Sequence, residues 1–92
     1  MPDGGSTIVR LPGRWEIAIF RRGESFIAIE NRCPHEGGPL AEGPIERGML
    51  ICPWHRFRFY LGTGASVTNP AMRARTFKAF ADGDQVALVL PT

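Results

Sequence analysis

The regular stretches of this chain alternate apolar and polar positions with a period of two, as strands with one inward face do. Trp15-Glu16-Ile17-Ala18-Ile19-Phe20 predicts one strand and Ser25-Phe26-Ile27-Ala28-Ile29-Glu30 its return. Arg21-Arg22-Gly23-Glu24 joins them, so the pair reads as a β-hairpin. Met49-Leu50-Ile51 is a short apolar strand. Arg56-Phe57-Arg58-Phe59 alternates strictly, which predicts both phenylalanines on one side and both arginines on the other. Leu61-Gly62-Thr63-Gly64 turns the chain, and Asn69-Pro70 marks a loop. Thr76 to Ala81 and Gln85 to Leu90 predict a last hairpin about Asp82-Gly83-Asp84. No window sustains apolar residues at helical spacing, and residues 31–48 carry Pro34, Gly37, Gly38, Pro39, Gly43, Pro44 and Gly48, which excludes a regular helix there. The expected class is all-β: short antiparallel strands interrupted by two Gly/Pro-rich loops. Residues 1–6 read as a flexible tail.

Composition narrows the function more than the fold. A chain of 92 residues is one small domain, taken here as 1–92, that a bound metal would help to stabilise. With 43% apolar and 22% charged residues it is neither a disordered nor a fibrous chain. A net charge of +2 is far from the dense basic stripe of a nucleic-acid binder, so no nucleic acid is expected. The longest apolar runs, such as Ile17 to Phe20, fall well short of a membrane span. Residues 1–7 show no apolar secretion segment, which leaves the cytoplasm as the expected compartment. A monomer is the expected state.

The candidate chemistry is concentrated in four residues. The only two cysteines and the only two histidines fall in two tight pairs, Cys33-Pro34-His35 and Cys52-Pro53-Trp54-His55, with 16 residues between them. A disulfide would leave the histidines unexplained and is rare in a cytosolic chain. A nucleophile pair would need one cysteine and one histidine plus an orienting group. Metal ligation accounts for all four. A structural zinc site commonly uses unmixed Cys and His pairs, whereas each pair here is mixed and the first has one intervening residue. The arrangement is easier if each pair straddles two metals, with the cysteines on one iron and the histidines on the other, as in a [2Fe–2S] cluster.

The motif Cys-x-His-x16-Cys-x2-His resembles the Rieske iron–sulfur family. Its flanks agree. Residues 33–43 resemble the first cluster loop of Rieske-type ferredoxins and Cys52-Pro53-Trp54-His55 the second. Thr63-Gly64 resembles the turn that follows, Val67-Thr68-Asn69-Pro70-Ala71 a proline loop covering the cluster, and Asp82 to Val86 the last hairpin.

The resemblance implies a Rieske fold of small antiparallel sheets, with a cluster-binding tip built from loops at about 32–48 and 52–70. It implies Cys33, His35, Cys52 and His55 as ligands, the histidines through Nδ1 with Nε2 toward solvent, where electrons enter and leave. Gly38, Leu40, Trp54, Phe57 and Pro70 would pack around the cluster.

Two ferric ions, two sulfides and two thiolates sum to neutrality, whereas four thiolates leave a cluster negative. The potential is therefore expected in a window of roughly −150 to +300 mV, above that of plant-type ferredoxins. Loss of a proton from bound imidazole would couple potential to pH. High-potential relatives carry an extra cysteine pair and hydroxyls near the sulfurs. This chain has no spare cysteine, and Phe57 and Phe59 stand where hydroxyls would be. The low end of the window is expected.

By the same resemblance the chain is a soluble one-electron carrier and not an enzyme. A flavin-dependent reductase would feed it, and it would feed a terminal oxygenase of a ring-hydroxylating system. Alternatives are the small Rieske subunit of a nitrite-reductase-type enzyme, partnered by the reductase large subunit, a redox sensor, and a zinc-stabilised binding module.

One residue departs from the family pattern. Arg56 stands where glycine usually follows the second histidine, so it either alters the turn or places a cation beside the cluster, tuning its potential or docking an acidic partner. Arg56 and Arg58 as a solvated strand face is the plainer reading. Trp54 reads equally as a shield for the cluster or as core. Trp15 reads as core, Glu36 and Glu42 as solvated loop charges, and Arg73 and Arg75 as one face of an exposed strand edge.

Overall fold

A computed structural model describes residues 4–35, 37–54 and 56–90. Among these described residues, eight strands carry the fold. β1 (Ser6–Leu11), β2 (Trp15–Arg22), β3 (Ser25–Glu30), β7 (Thr76–Asp82) and β8 (Gln85–Val89) form one antiparallel sheet in the order β1-β2-β3-β7-β8. β4 (Ile45–Glu46), β5 (Met49–Ile51) and β6 (Arg58–Tyr60) form a second sheet in that order. The only helical element among the described residues is the 3-10 turn Leu40–Glu42. The all-β expectation holds.

The apolar run Ile17 to Phe20 has a physical reason that simple alternation does not supply. β2 is buried on both faces. Ile17 and Ile19 pack with Ala28 and, around them, Val9, Phe26, Phe77 and Leu88. Ala18 and Phe20 point the other way, into a cluster with Ile29, Leu40, Leu50, Phe59, Cys33 and Cys52. A strand sandwiched between two apolar layers has no polar face to offer. The first layer is the core of the five-stranded base. The second joins the base to a lobe, residues 31–75, that carries both Cys/His loops.

The lobe leaves and re-enters the base at one place. Ala28 pairs with Phe77 and Ile29 with Thr76, and Glu30 N–H donates to the Arg75 carbonyl at 2.8 Å. Inside the lobe, β5 is central, with Leu50 opposite Ile45 on one side and Phe59 on the other. Arg47 and Gly48 form the tight β4–β5 turn with φ of 52° and 75°, the sign a two-residue hairpin turn requires.

Three sequence expectations need correction. The tail does not extend to residue 6: Gly4 N–H donates to the Arg21 carbonyl, Arg21 N–H donates to the Gly5 carbonyl, and Ser6 opens β1. β1 itself escaped the sequence reading because an edge strand, exposed at Ser6, Thr7 and Arg10, has no clean alternation. The Arg56–Phe59 strand begins only at Arg58, because Arg56 has a φ of 56° that no strand tolerates. Phe57 and Phe59 nevertheless reach the same apolar cluster.

Candidate metal centre

Each Cys/His loop is shaped by its own backbone hydrogen bonds. In the first, Gly37 N–H donates to the Cys33 carbonyl at 2.7 Å and Cys33 N–H donates to the Gly38 carbonyl at 2.8 Å. In the second, Cys52 N–H donates to the Phe57 carbonyl at 2.8 Å, closing the loop between them. The two loops then lock together. Gly38 is buried against the second loop, so that a Cβ on it would sit 2.8 Å from the Cys52 Sγ and 3.0 Å from the Trp54 Cγ. The His35 ring stacks on Phe57 with centroids 4.0 Å apart and planes 12° from parallel.

These contacts bring Cys33 and Cys52 side by side as free thiols, 1% and 0% exposed. Burial pushes the Cys52 thiol up to about 11. The Trp54 backbone N–H works against the rise, and a hydrogen bond and charge from Cys33 add to it. That thiol is protonated at neutral pH, so a metal that takes it as a thiolate must displace its proton. Nδ1 of His35, the atom expected to ligate, is buried in the same region. Among the described residues no three His, Cys, Asp or Glu side chains gather as ligands for a single ion. Two adjacent buried sulfurs are donors of the soft kind that an iron–sulfur cluster takes.

The remaining expected positions divide. Leu40 is fully buried in the cluster that holds both cysteines. Phe57 packs against that cluster and on His35. Trp54 is half on Gly38 and half in solvent, at 48% exposed, so it is not core. Pro70 is exposed, in the turn where Met72 N–H donates to the Asn69 carbonyl. Glu42 is exposed, whereas Glu36 and His55 lie outside the described residues. Trp15 is half-buried against the base, its ring edge-on to Phe77 at 5.3 Å and under the Arg75 guanidinium at 4.9 Å. Arg73 Nε donates to the Thr63 carbonyl at 3.2 Å, so these two arginines are tied down rather than a bare strand edge.

Sequence reasoning missed Asn31, which is 6% exposed and braces the first loop. Its Nδ2 donates to Glu16 Oε2 at 2.8 Å, and its Oδ1 accepts from Ala41 N–H at 2.6 Å. Glu16 is held in turn by Arg10 Nε at 3.1 Å. The available signal was a polar residue at the end of an apolar strand, next to a candidate ligand. Asn31→Ala strands the Ala41 N–H and is expected to cost about 2 kcal/mol, read as a lower midpoint in chemical denaturation.

The Rieske [2Fe-2S] domain family description matches residues 1–88, and the chain belongs to that family. A [2Fe–2S] cluster is what membership implies. The 3-phenylpropionate/cinnamic acid dioxygenase ferredoxin subunit of Escherichia coli (strain K12) is 34% identical over 93 residues, 99% of this chain and 86% of that one. The human Rieske domain-containing protein is 42% identical over 53 residues, 53% of this chain, and the chain spans only about a third (34%) of its length. Among solved structures, a chain in the complex of reduced oxygenase and oxidized ferredoxin in carbazole 1,9a-dioxygenase superposes with a TM-score of 0.86 at 27% identity, over 97% of this chain and 92% of that one. No helix among the described residues is long and apolar enough to cross a membrane.

Proposed function

We propose that the chain is a one-electron carrier of the ferredoxin type, in which Cys33 and Cys52 hold one iron of a [2Fe–2S] cluster and His35 and His55 hold the other. The observation that carries this reading is the pair of adjacent buried thiols under the His35–Phe57 stack, in a chain of the Rieske family. When bound, the cluster accepts a single electron and returns it. The protein's own part is to keep the site dry and rigid. Leu40, Leu50 and Phe59 exclude water from the sulfurs, and Phe57 fixes the plane of the His35 ring. No carboxylate pair or activated nucleophile among the described residues adds a catalytic role.

The partners proposed are a flavin-dependent reductase as donor and the oxygenase of a ring-hydroxylating system as acceptor. A relative that spans nearly the whole chain at 34% identity is a dioxygenase ferredoxin subunit, and that supports this branch over the nitrite-reductase one. The test is anaerobic reconstitution followed by redox titration and EPR of the reduced state. The expected result is a red-brown protein with a rhombic Rieske-type signal and a midpoint near about −150 mV. That low value follows from Phe57 and Phe59, which pack where hydroxyl donors to sulfur would raise it. A midpoint higher by about 200 mV or more would sink the argument from the phenylalanines. A colourless protein would overturn the carrier reading itself.

A further inference from the structure

Among the described residues, two other than glycine hold a positive φ, Arg47 at 52° and Arg56 at 56°. The β4–β5 turn accounts for Arg47. The turn closed by Cys52 and Phe57 sets the φ of Arg56, and glycine would take that φ at no steric cost. A side chain bearing a Cβ is disfavoured in this conformation, where glycine is not. The position that bears this cost carries a long, exposed cation that forms no ion pair among the described residues. Strain kept at a surface position beside a functional site points to use of the side chain.

The charge pattern says what kind of use. Between Glu46 and Asp82 the sequence has no acidic residue, while Arg47, Arg56, Arg58, Arg73, Arg75 and Lys78 are all basic. Both the second loop and the loop after β6 lie in this stretch. On the same turn as Arg56, Trp54 offers an apolar ring, 48% exposed. Across from it, Arg32 lies along Gly37, its Nε 3.5 Å from where a Cβ would be, and the adjoining Gly38 touches Trp54. An exposed aromatic residue with arginines beside it is the composition of an interface centre, and its sign selects the partner.

We infer that Trp54, Arg56 and Arg32 form the docking surface for a redox partner that presents carboxylates around an apolar seat for the indole. This rests on the carrier reading above. Arg56 is there a recognition residue, holding the partner's acidic surface against the loop that carries His55 and speeding encounter at low salt.

The test uses the cluster-loaded chain, its loading checked by visible absorbance, reduced and then oxidised by one of two small reagents of opposite charge. Hexacyanoferrate(III) is the anionic probe and tris(phenanthroline)cobalt(III) the cationic one, and each takes one electron per chain. Arg56→Gln is expected to slow the anion's reaction about threefold or more at low salt and to speed the cation's, with both effects fading as salt rises. Lys78→Gln removes the same charge from the base and is expected to change both rates far less. Arg56→Gly removes the charge while relieving the backbone, and it must reproduce the Gln result. A variant that shifts both reagents in the same direction has changed the potential and not the surface, which overturns the proposal. Equal effects of Arg56→Gln and Lys78→Gln, or none from either, also overturn it. A chain that loads normally yet shows no such selectivity leaves the carrier reading standing, whereas one that takes up no cluster removes both.

Discussion

Serine in place of Cys52 is expected to give a chain that forms its strands but stays colourless after reconstitution with iron and sulfide. The thiol is 0% exposed and lies beside Cys33 in an apolar cluster, where nothing else in the described chain offers a soft, anionic donor. A serine hydroxyl is the same shape to within a fraction of an ångström, so packing changes little. It does not ionise near neutral pH, however, and oxygen is a poor substitute for thiolate sulfur in iron–sulfur ligation. Iron content and visible absorbance should fall to background, while far-ultraviolet circular dichroism keeps its strand signature. Stability of the cluster-free chain should drop by only about 1 kcal/mol, from a buried hydroxyl whose one partner is a thiol. Full iron content in Cys52→Ser would remove Cys52 from the ligand set.

Gly64→Ala is expected to damage the fold itself. Gly64 is buried with a φ of 76°, and a Cβ there would run into the Ala74 carbonyl oxygen and press on Thr76. The same residue donates to the Tyr60 carbonyl and accepts from Ala74 N–H, both at 2.8 Å, so it cannot withdraw without breaking a turn at each end. Backbone strain of about 1 kcal/mol adds to a clash with main chain that cannot rotate away, for a total of about 3 kcal/mol or more. That is a large share of the stability of a domain this size. Thermal melts of the cluster-free chain would measure it, and an unchanged midpoint would show that the β6–β7 connection yields more easily than its hydrogen bonds imply. Glycine at position 62, with open space about it, serves as the control.

The comparison of these two positions shows what was legible in the sequence. Cys52 stood out as a candidate ligand from residue type and spacing alone, and the structure buries it beside Cys33. The hairpins β2–β3 and β7–β8 were equally plain, since their turns carry Gly23 and Gly83 between apolar runs. What stayed hidden depends on contacts between segments far apart in the chain. Arg56 adopts its φ because Cys52 and Phe57 close a turn around it, and arginine carries no local sign of that. The brace from Asn31 to Glu16 and Ala41 joins three elements. Strand β1 is an edge, with one neighbour and no need for a strict pattern. The buried-both-ways character of β2 emerges only when the lobe folds back over the sheet.

That fold-back also sets an order of events during synthesis. β3 finds its partner β7 only after residues 31–75 have been made, and the closing contacts join positions such as Ile29 and Thr76. Long-range closure of this kind is slow compared with forming a hairpin. Both cysteines therefore emerge from the ribosome before Ala74 and the strands that complete the base emerge to enclose them. For that interval the two thiols, inaccessible in the finished molecule, are open to whatever delivers iron and sulfide.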